Sequence, residues 1–231
     1  NSSGTLTYAE LRYGGSSYWG SGMLHTDMAS VAVDHGVFKN SQDCAINSQA
    51  SNEVTLTNMV NTDFTGNRIN AQCIRSGTLN TNATCNETAV AYVLYGGLTV
   101  ATGQTLTWAP GIVVKPVDSN TDLVVDGALV VNGTANNRVY VTSLNDDTVG
   151  GNTDNQNITP AAGNWRRLYF RDNSSGTLTY AELRYGGSSY WGFGALHVDQ
   201  SAPSVTNTRF RTNVMAIVTT SSNSNPTITT C

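Results

Sequence analysis

Asn1–Gly20 reads NSSGTLTYAELRYGGSSYWG, and Asn173–Gly192 reads the same twenty letters without a change. The offset is 172 residues (173 − 1), and it continues without a gap through Gly22/Gly194, Leu24/Leu196, His25/His197, Asp27/Asp199, Val33/Val205, Phe38/Phe210, Thr55/Thr227 and Thr57/Thr229. Self-similarity at a fixed period is the mark of repeat architectures, so this copy outranks every local motif. Residues 1–172 are therefore read as one unit and 173–231 as the beginning of a second.

Between the copies the chain is a series of short β-type runs. Thr105-Leu106-Thr107-Trp108, Ile112-Val113-Val114, Leu123-Val124-Val125, Ala128-Leu129-Val130-Val131 and Val139-Tyr140-Val141-Thr142 are each bounded by Gly, Asn, Asp or Pro. No stretch carries an i, i+3, i+4, i+7 apolar stripe with caps, so helix is expected to be almost absent. Leu98, Leu123, Leu168 and Leu196 open similar turns, with one longer excursion between the second and third. Steps of roughly two dozen residues match a coil of three short strands, and stacking such coils would pile like residues into interior ladders. The expected fold is all-β, a right-handed parallel β-helix of about six coils per 172-residue unit, continuous over residues 1–231. A seven-strand sandwich is the alternative, but it leaves the long copy unexplained.

Composition narrows the function classes. Lys and Arg number 12 against 16 Asp and Glu, for a net charge of −4, so there is no basic footprint for nucleic acid. No apolar run reaches the roughly 18 to 20 residues needed to span a bilayer, and the chain reads as a mature or excised segment.

Three segments carry a family resemblance. LTVATGQTLTWAPGIVVKP (98–116), LVVDGALVVNGTANNRVYVTSLNDD (123–147) and GNWRRLYFRDNSSGTLTYAELRYGG (163–187) resemble, in this order, the right-handed parallel β-helix repeats of large bacterial and archaeal surface proteins. The tail segments SAPSVTNTRFRTN (201–213) and SNPTITTC (224–231) are similar to later coils of the same repeats. The chain departs from the pattern at Arg166-Arg167, where those proteins carry a small residue or Gly after the Trp equivalent to Trp165. The resemblance implies an extracellular or cell-surface setting. It spans adhesins, sheath proteins and carbohydrate-active enzymes, so it implies function less sharply than fold. In the family's order a unit starts just before Leu98, so Asn1 falls inside a coil. This reads as a window on a longer array, or as a subunit stacking end to end with copies of itself.

Cys44, Cys73, Cys85 and Cys231 suit an oxidising compartment, and their spacing alone allows three complete pairings. A local Cys73–Cys85 disulfide stapling a polar bulge over residues 74–84 is the expected arrangement, with buried free thiols as the alternative. Asn1, Asn82, Asn86, Asn132, Asn157 and Asn173 head N-glycosylation sequons, and Asn82 and Asn86 are the best placed. In the excursion, Asp146, Asp147 and Asp154 among Asn and Gly supply the hard oxygen ligands that Ca²⁺ prefers, against the plainer reading of a solvated turn.

A β-helix lyase or hydrolase would need clustered carboxylates with Arg or Lys on one face. The candidates are Glu10, Arg12, His25 and Asp27 with their copies Glu182, Arg184, His197 and Asp199. Duplication in every unit suits structural ion pairs better than an active site, so no catalytic residue is assigned and no enzyme is expected. Tyr18, Trp19, Tyr190 and Trp191, in the repeated GGSSYWG, form an aromatic patch able to stack on sugar rings or on another copy. The expected role is an extracellular structural repeat protein building a fibre, sheath or adhesive stalk. A carbohydrate-binding surface adhesin, with surface polysaccharide as partner, is the alternative.

Overall fold

The structure is a computed structural model that describes residues 2–16, 22–26, 29–49, 56–60 and 62–231. Its elements, all strands, are β1 (Ser2–Thr7), β2 (Glu10–Arg12), β3 (Leu24–Thr26), β4 (Ala29–Asp34), β5 (Val37–Lys39), β6 (Cys44–Ser48), β7 (Leu56–Val60), β8 (Ile69–Leu79), β9 (Ala83–Cys85), β10 (Ala91–Val100), β11 (Thr105–Trp108) and β12 (Val113–Pro116). They continue as β13 (Asp122–Val125), β14 (Ala128–Asn132), β15 (Val139–Val141), β16 (Arg167–Phe170), β17 (Ser175–Thr179), β18 (Ala181–Arg184), β19 (Leu196–Val198), β20 (Ser204–Thr206), β21 (Arg209–Arg211), β22 (Ile217–Thr219) and β23 (Thr227–Thr229). No helix occurs among the described residues, as the missing apolar stripe led one to expect.

Pairing between these strands is parallel throughout, and from β11 onward each strand pairs with the third one after it. The result is solenoid-like, with three strands to a round. Two stacks of strands merge into one open, curled sheet of twelve strands, because β8 and β10 are long enough to bend from one stack into the next. The first stack runs β3, β6, β8, β10, β12, β15, β18, β21, and the second runs β8, β10, β13, β16, β19, β22. A separate six-stranded sheet, β9, β11, β14, β17, β20, β23, forms the third side.

The leucine spacing read from the sequence becomes a register. Leu98 pairs with Leu123, Leu123 with Leu168, Leu168 with Leu196, and Leu196 with Ile217. Alternation then sends Leu106, Trp108, Leu123, Val125, Leu129, Val131, Leu168 and Phe170 into one continuous core while their neighbours face outward. Each such side chain contributes on the order of 1.5–3 kcal/mol by burial.

The sequence copy is also a copy of local backbone. Tyr8 and Tyr180 both take positive φ, as do Tyr13 and Tyr185, and His35 and Asn207. At these left-handed corners Tyr8 N donates to Asp34 O and Tyr180 N to Thr206 O, and all four positions are related by the same offset of 172 (180 − 8 and 206 − 34). The stacks, however, do not coincide. Six pairings lead from β3 through β6, β8, β10, β12 and β15 to β18 in the first stack. The copy of β3 is β19, one strand further on, and it stands in the second stack. Equivalent segments of the copy, Leu24-His25-Thr26 and Leu196-His197-Val198, therefore occupy neighbouring sides of the solenoid.

The excursion between β15 and β16 folds back over the outside of the first stack. There Cys44, Ile69, Ala71, Cys73 and Val93 form a small core on which Leu144 packs, while Ala45 and Ile46 are buried in another cluster with Val33 and Phe38, so β6 has apolar packing on more than one side. Cys73 is disulfide-bonded to Cys44, with Cα atoms 6.1 Å apart. This corrects the expected Cys73–Cys85 link. β6 and β8 are direct neighbours, with Asn47 opposite Cys73, whereas Cys85 belongs to the third side and lies opposite Trp108 in the main core. In place of a looped-out bulge, residues 74–84 are the end of β8, a short turn over 80–82 and the start of β9, with a register shift against β10 between Arg75 and Gly77. Cys85 and Cys231 are free, and burial pushes the Cys85 thiol up to about 12, which leaves it protonated and unreactive.

Candidate ligand-binding surface

Outward side chains of the second stack meet a short hairpin at its rim. Ser188 and Phe193 exchange both backbone hydrogen bonds, 2.8 and 2.9 Å long, closing a turn that lifts Tyr190 and Trp191 into solvent at 84% and 63% exposure. Gly186 fixes the base of this hairpin. A Cβ there would stand 2.6 Å from the indole of Trp165, whose Nε1 donates to Arg184 O at 2.6 Å. Positive φ at Gly187 and Gly192 (94° and 67°) turns the chain out and back.

The hairpin is seated on rings and charges from three rounds. Tyr190 and Trp191 meet edge to face at 4.8 Å, and Trp191 stacks near Phe193 at 6.4 Å. The edge of Phe193 meets His197 of β19 at 5.2 Å, and Tyr169 of β16 meets the same imidazole at 4.9 Å. The Arg167 guanidinium lies over both Tyr169 and Phe193, 3.9 and 3.7 Å from their centroids. Tyr169 Oη donates to Asp199 Oδ2 at 3.3 Å, so contacts run unbroken from Asp199 to Tyr190. At the foot, Asp122 takes Arg166 Nη1 at 3.0 Å and lies 3.5 Å from Arg167 Nε. The second contact is an ion pair without hydrogen-bond geometry, because Asp122 Oδ1 and Arg167 Nε both lack a hydrogen-bond partner. Burial raises the Asp122 carboxyl against the opposing pull of Arg167 and Arg166.

His197 is only 2% exposed, and burial, then the positive charge of Arg167, lower its pKa from 6.5 to about 4. The imidazole is thus held neutral. Its native pKa lies below the unfolded value, so its contribution is intact above pH 6.5 and is lost as pH falls through about 4. A shift of this size corresponds to about 3 kcal/mol. Thermal unfolding is expected to lose that stability between pH 6.5 and 4, and His197→Phe, which cannot charge, to flatten this part of the profile. An unchanged profile in the variant would refute the assignment.

The other sequence candidates are distributed over the outside. Asn1, Tyr18, Trp19 and Asp27 lie outside the described residues. Glu10 forms an ion pair with Arg12, and His25 Nδ1 lies 3.4 Å from Asn47 Nδ2. Glu182 is buried on the first stack, where Arg184, Arg211 and Arg209 approach it at 2.7, 3.1 and 3.8 Å. His197 and Asp199 belong to the second stack, so the two halves of the lyase-type set stand on different sides. Asn82, Asn86, Asn132, Asn157 and Asn173 are all exposed.

Asp146, Asp147 and Asp154 do not gather. No group of three or more His, Cys, Asp or Glu side chains suited to hold a metal ion occurs among the described residues. Asp146 accepts from Thr142 and Thr148 and pairs with Arg184, and Asp154 accepts from Gln156 N. The oxygens of this loop serve Lys115 instead. Its Nζ, fully buried, donates to Asp146 O, Gly151 O and Thr153 Oγ1 at 2.9, 2.8 and 2.7 Å. Burial lowers the Lys115 pKa to about 8, against the pull of Asp146, Asp147 and Asp154. The loop is fastened further by Asn70 N donating to Thr153 O at 2.7 Å and by Asn155 Nδ2 donating to Asn67 O. Sequence reading found the loop and its oxygen donors but missed the ammonium, which comes from a strand some thirty residues earlier.

Compared with known proteins, the chain matches no family model, no curated protein and no solved structure.

Proposed function

We propose that this chain is a segment of an extracellular structural repeat protein, a right-handed parallel β-helix whose 172-residue units stack in tandem as a fibre, sheath or adhesive stalk. The observation that carries this reading is the combination of third-strand parallel pairing with a sequence copy that reproduces strand order and corner conformations. In such an architecture each round contacts only its neighbours, so length grows by adding units without redesigning the core. Outward carboxylates bound up with arginines, as at Glu182, suit a surface held together by ion pairs. The Cys44–Cys73 disulfide fits an oxidising compartment. Electron microscopy of the native material is expected to reveal rods or fibres with the strand spacing of about 4.8 Å along the axis. Compact particles that stay monomeric at high concentration would overturn the stacking.

A second reading, binding of surface carbohydrate, is favoured by one feature. Tyr190 and Trp191 expose large aromatic faces on a braced hairpin, where burying them in a core would have been the cheaper use of such side chains.

A further inference from the structure

The described residues include five buried side-chain polar atoms without a hydrogen-bond partner, and four of them lie in one place: Asp122 Oδ1, Arg166 Nε, Arg167 Nε and His197 Nδ1. Buried groups left in this condition cost about 1–3 kcal/mol each, so a cluster of them calls for an explanation. Two of them, Asp122 Oδ1 and Arg167 Nε, face each other at 3.5 Å, and what is left over is donor capacity. Arg166 and Arg167 bring two guanidiniums, which can only donate, to the single carboxylate of Asp122. Neither arginine is sealed off, since their side chains are 26% and 12% exposed. The hairpin reaches Arg167 through Phe193, whose ring lies 3.7 Å from that guanidinium and 6.4 Å from the ring of Trp191. The pair is also where the sequence departs from the repeats it resembles.

We propose that this patch binds an acidic sugar: a pyranose whose apolar face lies on Trp191 and Tyr190 and whose carboxylate meets Arg166 and Arg167. This deepens the carbohydrate-binding reading and rests on it. Both Nε atoms are buried, so a carboxylate would meet the solvent-facing edges of the guanidiniums, adding a second acceptor group where two cations share one. The ring's C–H face supplies the apolar contact that the exposed indole lacks.

Calorimetric titration with an oligogalacturonate, its fully methyl-esterified form serving as the neutral counterpart, tests the proposal. The acidic oligomer is expected to bind, more weakly as salt rises, and the ester at least tenfold less tightly. Trp191→Ala and Arg166→Gln are each expected to lose tenfold or more in affinity; the melting temperature should hold in Trp191→Ala, whose side chain is largely exposed, and fall modestly in Arg166→Gln, which gives up the ion pair with Asp122 and the bond to Asn120 O. Equal binding of acid and ester would overturn the acid preference while leaving carbohydrate binding in place. No binding of either oligomer, or full binding by the Trp191→Ala variant, would overturn the site altogether. Rod formation is read independently by microscopy.

Discussion

Leu168→Asp is expected to destabilise the chain by at least 4–5 kcal/mol, on the order of its whole folding free energy. Leu168 is 1% exposed and is the middle rung of the ladder Leu98, Leu123, Leu168, Leu196, Ile217. A carboxylate there would have apolar rungs above and below and no cation inside the core to meet it. Burying an unpaired charge costs far more than leaving a cavity, so Leu168→Ala should be milder, at about 2–5 kcal/mol. Thr177→Asp, on an exposed position of β17, serves as the control and should change stability by less than about 0.5 kcal/mol. Chemical denaturation monitored by circular dichroism checks all three. Similar losses at Leu168 and Thr177 would mean that the inward and outward faces have been misassigned.

Loss of the Cys44–Cys73 disulfide is expected to cost about 3.5 kcal/mol, from the loop entropy of its 29-residue separation. The effect should appear equally on reduction and in the Cys44→Ala, Cys73→Ala double variant. Cys85→Ala, in contrast, removes only a buried thiol and should give the smaller loss of a small cavity. Peptide mapping under non-reducing conditions should recover residues 44 and 73 in one linked fragment. A fragment linking Cys73 to Cys85 would overturn the Cys44–Cys73 pairing.

Much of the fold could be read in advance because interior positions in a coiled stack recur at nearly constant spacing. That is why Leu98, Leu123, Leu168 and Leu196, picked out only as turn openers, proved to be consecutive partners. What spacing does not carry is contact between outer faces. The Cys44–Cys73 pairing depends on which rounds are neighbours, and the clasp of Lys115 depends on an excursion doubling back over the sheet. The aromatic patch divides in the same way. Tyr190 and Trp191 stood out by their glycine-rich setting, whereas Asp122, Arg167, Tyr169 and His197 come from three separate rounds and meet only once those rounds are stacked. The Arg166-Arg167 pair was visible as an oddity, but the acid it would need lay more than forty residues away.

The sideways displacement of β19 relative to β3 has a mechanical meaning for any array of such units. A unit of six rounds plus one strand advances about 30 Å and turns by a third of the circumference, given a rise of about 4.8 Å per round. Successive aromatic hairpins would then wind about the shaft like the thread of a screw, regaining the same bearing after three units, or roughly 90 Å. Such a shaft would have no preferred side from which to be gripped.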